Sequence, residues 1–517
     1  MRATFLALLF SGAACVHSYA CPKRGGPTWR ELQSSHFLLR TNLADGQANA
    51  LLDDLEETLL AMTAIWPAAP PPRVQVFAPR DARETSEFIS PRDLLGHPVS
   101  YIGFFGDPVI VIDGSKPIAE QDYLRRNLAS LMVQQNLLRS PIWIQIGLPL
   151  YLDSIRTDRT RRVAIAGDTN REMIGALLQV GAAPVEWVLR ADPASRDHSL
   201  YVETCWLLVN HLMGEETVAM RAYLRALAEG RDPEEAWKSN FSRLKMEDLD
   251  AALASHLATR NVTVISVAMP LQIAPVAASR PLADAELHAQ RAESRLHVGF
   301  AVGDITDEAR EAQHEDPANP LGIAIDESLT ASEKLRLAET ASAARPDDWR
   351  IWFLRWSLAE QIASGERSTW SVHPGRMVDR YAQYPRTLET EEAAWLQTAL
   401  RLKPDNVFVL SASTVARLAE RNATAALPLA ETANALAPAR PLLLDQFALA
   451  LAGVGRCTDA LRVEEQAIAR EADLRVKEGL ISFERMHTSL EAEYFQQSEE
   501  LHRRLGSHLE AFRTGCH

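Results

Sequence analysis

A chain of 517 residues, 47% apolar and 24% charged, can bury a large core over about two to four domains, which excludes wholesale disorder. Its formal net charge of −14 argues against nucleic acid as the main partner, because phosphate binding needs a basic face. A local cluster, Arg156, Arg159, Arg161 and Arg162, reads as a solvated loop before it reads as an anion grip.

The N-terminus, MRATFLALLFSGAACVHSYACPKRGG, has the order of an export signal over residues 1–20: Arg2, an apolar run from Phe5 to Phe10, then small residues. Ser18-Tyr19-Ala20 offers a cleavage site. Cys15 and Cys21 are alternative lipid-attachment cysteines, each lacking a leucine three residues upstream. No later run reaches the roughly 20 apolar residues of a membrane span, so membrane contact is expected only through such an anchor. The expected location is the periplasm, the outer membrane or the extracellular space. Cys21, Cys205, Cys457 and Cys516 remain after cleavage. They are widely spaced, and one long-range disulfide can form among them without the sequence pairing it.

Residues 21–35 form a Pro/Gly-rich lead-in. HFLLRTNL (36–43) reads as a strand, ANALLDDLEETLLAMTAIW as a helix ended by the prolines at 67–72, RVQVFAP (73–79) as a strand, and YIGFFGDPVIVIDG (101–114) as two short strands around a Gly-Asp-Pro turn. After 118 the pattern is almost wholly helical, over about 119–138, 146–156, 170–180, 197–213, 216–229, 233–238 and 246–259. Strands followed by helices predict an α+β domain over 36–260 with a mixed sheet. Residues 261–282, proline-containing and poor in charge, read as a linker or as a strand tucked against a domain face.

From 283 to 517 the pattern is helix after helix, with a period. Pro404 and Pro438 are 34 residues apart, as are Ala426 and Ala460. Helix pairs with small residues at the crossing and a proline at the end resemble the tetratricopeptide repeat. AGVGRCTDALRVEEQAIARE (452–471) is the clearest unit, while 307–325 and 338–356 read as eroded ones. SGERSTWSVHPGR, within 364–386, interrupts the period. Three to five imperfect repeats are expected. Trp349, Trp352 and Trp356 share one helix face by their i, i+3, i+7 spacing, which suits packing before it suits a peptide groove.

The first domain has a succession of its own. Trp29, HFLLRTN, VQVFAPRD, GFFGDPVIVI, PIWIQIGLPLYLD, HSLYVETCWLLVNHLMG and RAYLRALAEGRDPEEAWKSNFS follow in order over roughly 230 residues. This order resembles the peptidase-MA-like, gluzincin-type domain of secreted bacterial proteins. The resemblance implies a helix bearing H-E-x-x-H and a later W-x-x-E-G-L-x-x-Y segment. Two His four apart bind Zn²⁺ from one helix face, the Glu between them is the general base, and the later Glu is the third ligand.

This chain departs from that pattern at every one of those positions. No histidine lies between His97 and His198, so the helix predicted over 119–138 has none, and its carboxylates end with Glu120 and Asp122. Ile146 stands at the third-ligand position, and isoleucine offers no lone pair. Trp143, Gly147, Leu148 and Tyr151 carry the resemblance without its ligands. With a helix starting near Ile146, Pro149 falls in the first turn, where its missing N–H costs little.

No G-x-S-x-G elbow or phosphate-binding loop is present, and GVG at 453–455 is too short for a dinucleotide fingerprint. Cys205, in ETCWLLV, reads as a buried structural thiol. His198 and His211 are 13 apart, and His502 and His508 six apart, neither at metal-ligand spacing. No metal or cofactor is expected, and no catalytic residue. Trp143, Gln145, Tyr151 and Tyr201 are candidates for the wall of a residual cleft.

The expected function is an exported, non-catalytic binding or scaffolding protein that meets a protein or peptide through its helical repeats. The alternative is an active zinc-dependent peptidase with rearranged ligands, for example His97, His198 and Glu203. In a third reading the first domain is only a platform and the repeats alone bind.

Overall fold

The computed structural model describes residues 21–71, 73–89, 99–121, 124–168, 171–190, 198–259, 263–269, 278–298, 300–365, 379, 381–383, 385–485 and 489–515. The export signal proposed for 1–20, His97 and most of the 364–386 interruption lie outside them.

A mixed sheet opens the fold: β1 (Arg30–Gln33), β2 (Phe37–Thr41), β3 (Val74–Ala78), β4 (Val99–Ile102) and β5 (Pro108–Val111). With β9 (Ala278–Pro281) from later in the chain, the order is β4-β5-β3-β2-β1-β9, with β2, β3 and β5 parallel and β1, β4 and β9 antiparallel to their neighbours. The strands predicted at 36–43, 73–79 and 101–114 are present. β1 lies inside the expected lead-in, where a four-residue polar strand, RELQ, leaves little periodic signal. β9 (Ala278–Pro281) lies inside the expected linker and pairs with β1, so this stretch completes the sheet.

Alternation divides the sheet into two apolar faces. Phe37, Leu39, Val74, Val76 and Ile110 face the large core that includes α1 (Asp45–Ile65), through Leu52, Leu55, Leu59 and Met62. Trp29, Phe77, Val109 and Val111 face the other way, against Phe88 and Leu287. Leu287 belongs to α11 (Asp284–Val298), the first helix of the array, so the sheet lies between a helix of its own unit and one from the C-terminal half.

The remaining helices of the first unit are α2 (Ala82–Thr85), α3 (Leu124–Asn136), α4 (Ile142–Asp153), α5 (Arg171–Val180), α6 (Val185–Arg190), α7 (His198–Glu215), α8 (Thr217–Ala228), α9 (Pro233–Asn240) and α10 (Met246–Thr259). A second, three-stranded sheet interrupts them: β6 (Arg156–Asp158), β7 (Val163–Ala166) and β8 (Ile265–Ala268), in that order and antiparallel. The sequence pattern predicts helices up to 156 and from 170, with the arginine cluster as a loop between them, and no strand. The arginine cluster forms this hairpin, with Arg162 in the left-handed turn (φ 56°), Arg159 bonded to Glu57 and Arg156 paired with Asp168.

The array continues with α12 (Val302–Glu315), α13 (Pro320–Ile325), α14 (Ala331–Ala344), α15 (Trp349–Ser364), α16 (Thr390–Leu402), α17 (Val407–Ala419), α18 (Ala423–Leu436), α19 (Pro441–Gly453), α20 (Cys457–Arg485) and α21 (Ser489–Thr514). Each helix packs on the next, and small cores succeed one another along the chain. Ala426, Ala460 and Ala467 are buried where neighbouring helices cross, as their spacing predicts. Pro346, Pro404 and Pro438 each stand two residues past a helix end, where the chain must turn.

The two halves interlock. The β4–β5 turn, Gly103–Asp107, pushes Phe104 into the core between α11 and α15 and sets Phe105 edge-on to Trp349 at 5.6 Å. Asn406 donates from Nδ2 to the Phe105 carbonyl at 2.8 Å, and Glu293 accepts from the Phe104 amide. Gly106 sits at φ 101° against the Phe408 ring, a backbone conformation that suits glycine.

Candidate functional site

The region in question is built by α3 and α4, which pack against each other. Leu124, Leu128, Ala129 and Met132 from α3, with Ile144, Leu148, Tyr151 and Leu152 from α4, are buried in one continuous apolar core. The polar ends of the pair meet at Asp153, which pairs with Arg125 and Arg126.

Helix α4 starts at Ile142 behind Pro141, four residues before the expected start. Pro149 is therefore in the helix interior and not in its first turn. Its missing N–H leaves the Gln145 carbonyl without the usual i+4 donor. Gly147 explains the closeness of the next layer. A Cβ there would lie 2.5 Å from the Cys205 carbonyl oxygen and 2.7 Å from a Val209 methyl, so α7 presses directly on the α4 backbone.

Ile146 is partly buried and packs on the edge of this core. Trp143 is buried, stacked on Tyr223 at 5.8 Å and edge-on to Trp237 at the same distance. Tyr201 is buried too, with its hydroxyl donating to the Val188 carbonyl at 3.1 Å and its ring edge-on to Trp187. Tyr151 is fully enclosed, and burial raises its hydroxyl well above the usual phenol range. Gln145 is enclosed as well. These four side chains are interior, so the stretch expected to wall a cleft is packed core. The physical reason is the aromatic cluster from α8 and α9 on one side and the α7 backbone on the other.

The array closes the remaining side. Asp473 of α20 accepts from the Ser140 amide at 2.7 Å and from Arg139 Nε at 3.2 Å. Its backbone carbonyl accepts from Gln145 Nε2 at 3.0 Å, while the same Nε2 also donates to the Ser140 carbonyl. An acidic side chain just ahead of a helix is well placed for the exposed amides and positive end of α4. Sequence reasoning missed Asp473, which is 333 residues from Ser140.

Of the rearranged ligand set, His97 is outside the described residues, and of His198 only the backbone, at the start of α7, is described. Glu203 lies on that same helix. His211 faces His256 of α10 with ring centroids 5.9 Å apart, and burial lowers both imidazoles. Cys205 is fully buried and burial raises its thiol, as expected of a structural cysteine.

Two polar clusters lie elsewhere. Cys21 Sγ is 3.1 Å from His288 Nε2 and 2.9 Å from an Arg291 nitrogen, and His288 Nδ1 is 2.6 Å from Glu308. Thiol, imidazole and carboxylate thus stand in the order of a nucleophile, its base and the base's positioner. Yet Cys21 and Arg291 are each 1% exposed, so the thiol faces no substrate and fastens residues 21–25 to α11. The other cluster is Asp445, Glu464 and His508, whose donor atoms converge closely enough for a metal ion.

No protein-family model matches the chain, and a comparison with curated proteins returns no match. Among solved structures, the chain is similar to the MamA RS-1 ArsTM double mutant, at 15% identity over 43% of this chain and 96% of that one, with a TM-score of 0.22. MamA 41-end from Desulfovibrio magneticus RS-1 aligns with the same identity and coverage and a TM-score of 0.18. At these TM-scores the likeness is too slight to carry an argument.

Proposed function

We propose that this chain is an exported, non-catalytic binding or scaffolding protein, in which a degenerate peptidase-MA-like unit supports a tetratricopeptide-like array that engages a protein partner. The observation that carries the reading is the α3–α4 pair. Where the resemblance requires imidazoles and a carboxylate, α3 offers Leu124, Leu128 and Met132 and α4 offers Ile146, set in an apolar core. A zinc ion needs lone pairs, and these side chains have none.

The succession of stacked helices supports the binding role, because such arrays expose long surfaces made of many similar helix edges. Export is supported by the order of residues 1–20 and by a disulfide at Cys457, whose other cysteine lies outside the described residues. A plain soluble export and a lipid anchor at Cys15 or Cys21 differ in one respect here: Cys21 is buried and bonded to His288 and Arg291, a poor setting for an acyl chain.

The test is affinity capture from envelope extracts with the full chain as bait. A variant with two charge reversals on the array, Arg417→Glu at a partly exposed position and Glu431→Arg at an exposed one, is the control. A specific partner lost on reversal supports the reading. Capture of nothing, together with hydrolysis of peptides by the purified chain, contradicts it.

A further inference from the structure

We infer that Asp445, Glu464 and His508 form a binding site for one divalent first-row metal ion, best suited to zinc, which pins the C-terminal helix to the array. The three residues come from three successive helices, α19, α20 and α21, and their donor atoms all lie within 4.8 Å of one another. Two carboxylates and one imidazole supply three protein ligands and leave a further position for water, a donor set that zinc accepts.

The independent observation is Glu464. It is fully buried, and neither of its carboxylate oxygens accepts a hydrogen bond. Its immediate neighbour, Asp445, is 1% exposed and also an acceptor. Two carboxylates side by side among Leu444, Ala448 and Val463 are costly unless a positive charge or a shared proton lies between them. Arg504 supplies positive charge, 3.1 Å from one Asp445 oxygen. His508 Nδ1 is 2.6 Å from the other Asp445 oxygen. One donor atom each of His508, Glu464 and Asp445 lies within 4.8 Å of the other two.

The consequence is mechanical. α21 reaches the array through Leu505 and through this cluster, so an ion here fastens the last helix to the two before it. This site is separate from the α3–α4 region, and its failure would leave the reading of that region untouched.

The test is calorimetric titration of the chelator-treated full chain with zinc chloride, with thermal unfolding in parallel. The expected result is about one zinc per chain and a midpoint at least about 3 °C higher with zinc. His508→Ala, at a partly exposed position, and the isosteric Glu464→Gln should each weaken binding about tenfold or more and abolish the thermal gain. If Glu464→Gln does not fold, His508→Ala decides. No binding, or binding equally strong in His508→Ala, overturns the inference. A higher midpoint for Glu464→Gln without any zinc response in the parent also overturns it, and would mean that a proton neutralises the pair.

Discussion

Gly147 and Lys334 show how much of this structure is decided by single atoms. At Gly147 the α7 backbone occupies the space a side chain would need, and the obstacle is a carbonyl that cannot turn aside. Gly147→Ala should cost at least ~2 kcal/mol by denaturant unfolding, because two packed helices must separate. A cost below ~0.5 kcal/mol would mean that α4 and α7 are not in such contact. Lys334 is 1% exposed, and its ammonium donates to the Ala324 carbonyl at 2.7 Å. Burial pushes it down to about 8, against the pull of Asp326 and Glu327. Between that value and the ordinary 10.5, the unfolded chain holds a proton that the folded chain has released. Stability contributed through Lys334 therefore rises with pH across this window, by up to about 3 kcal/mol. Unfolding from pH 7.5 to 10 should show the parent gaining on Lys334→Met as pH rises; parallel curves would refute the assignment.

Among the elements, α4 carries the most meaning. Its apolar run made a helix legible, and Trp143, Gly147 and Leu148 pointed to a buried one. Its start was misread because the low charge of 140–146 hid where the helix begins, and Pro141 proved to be the boundary instead of Ile146. The β6–β7 hairpin was missed for a related reason. Its strands are three and four residues long, and its pairing with β8 spans about a hundred residues, so no local period marks it. The long helices at 197–213, 216–229 and 246–259 were readable because each repeats its apolar face over three turns or more. What no local pattern could supply is the cap that α20 places on α4. Asp473→Ala should cost about 1–3 kcal/mol and speed hydrogen exchange at the Ser140 amide. Unchanged exchange there would show that the array does not hold this helix end.

At the scale of the whole molecule, the two halves are joined by a sheet strand, a covering helix, a turn and a cap. β9 completes the sheet, α11 covers its second face, Phe104 enters the array core and Asp473 closes over α4. The domain boundary expected at 261–282 is thus a place where the chain crosses and returns to pair with β1. Phe104→Ala should lower stability by about 3–5 kcal/mol, felt as a shift of one cooperative transition and not as release of one half. Two separated transitions would contradict that coupling. The same long-range packing explains what the sequence left unread at the candidate sites. Asp445 and Glu464 are charges on otherwise apolar helix faces, a readable oddity, but their meeting with His508 depends on three helices folding together. The absence of histidine from α3 and of a carboxylate at Ile146, by contrast, is visible residue by residue.

The most direct test of the central claim is a peptidase assay on the full chain, using a mixed fluorogenic peptide set with added zinc, in the presence and absence of a chelator. The account predicts no cleavage above buffer in either condition. Cleavage that the chelator abolishes, that zinc restores and that persists in His508→Ala would place a working metal centre in the first unit and contradict it.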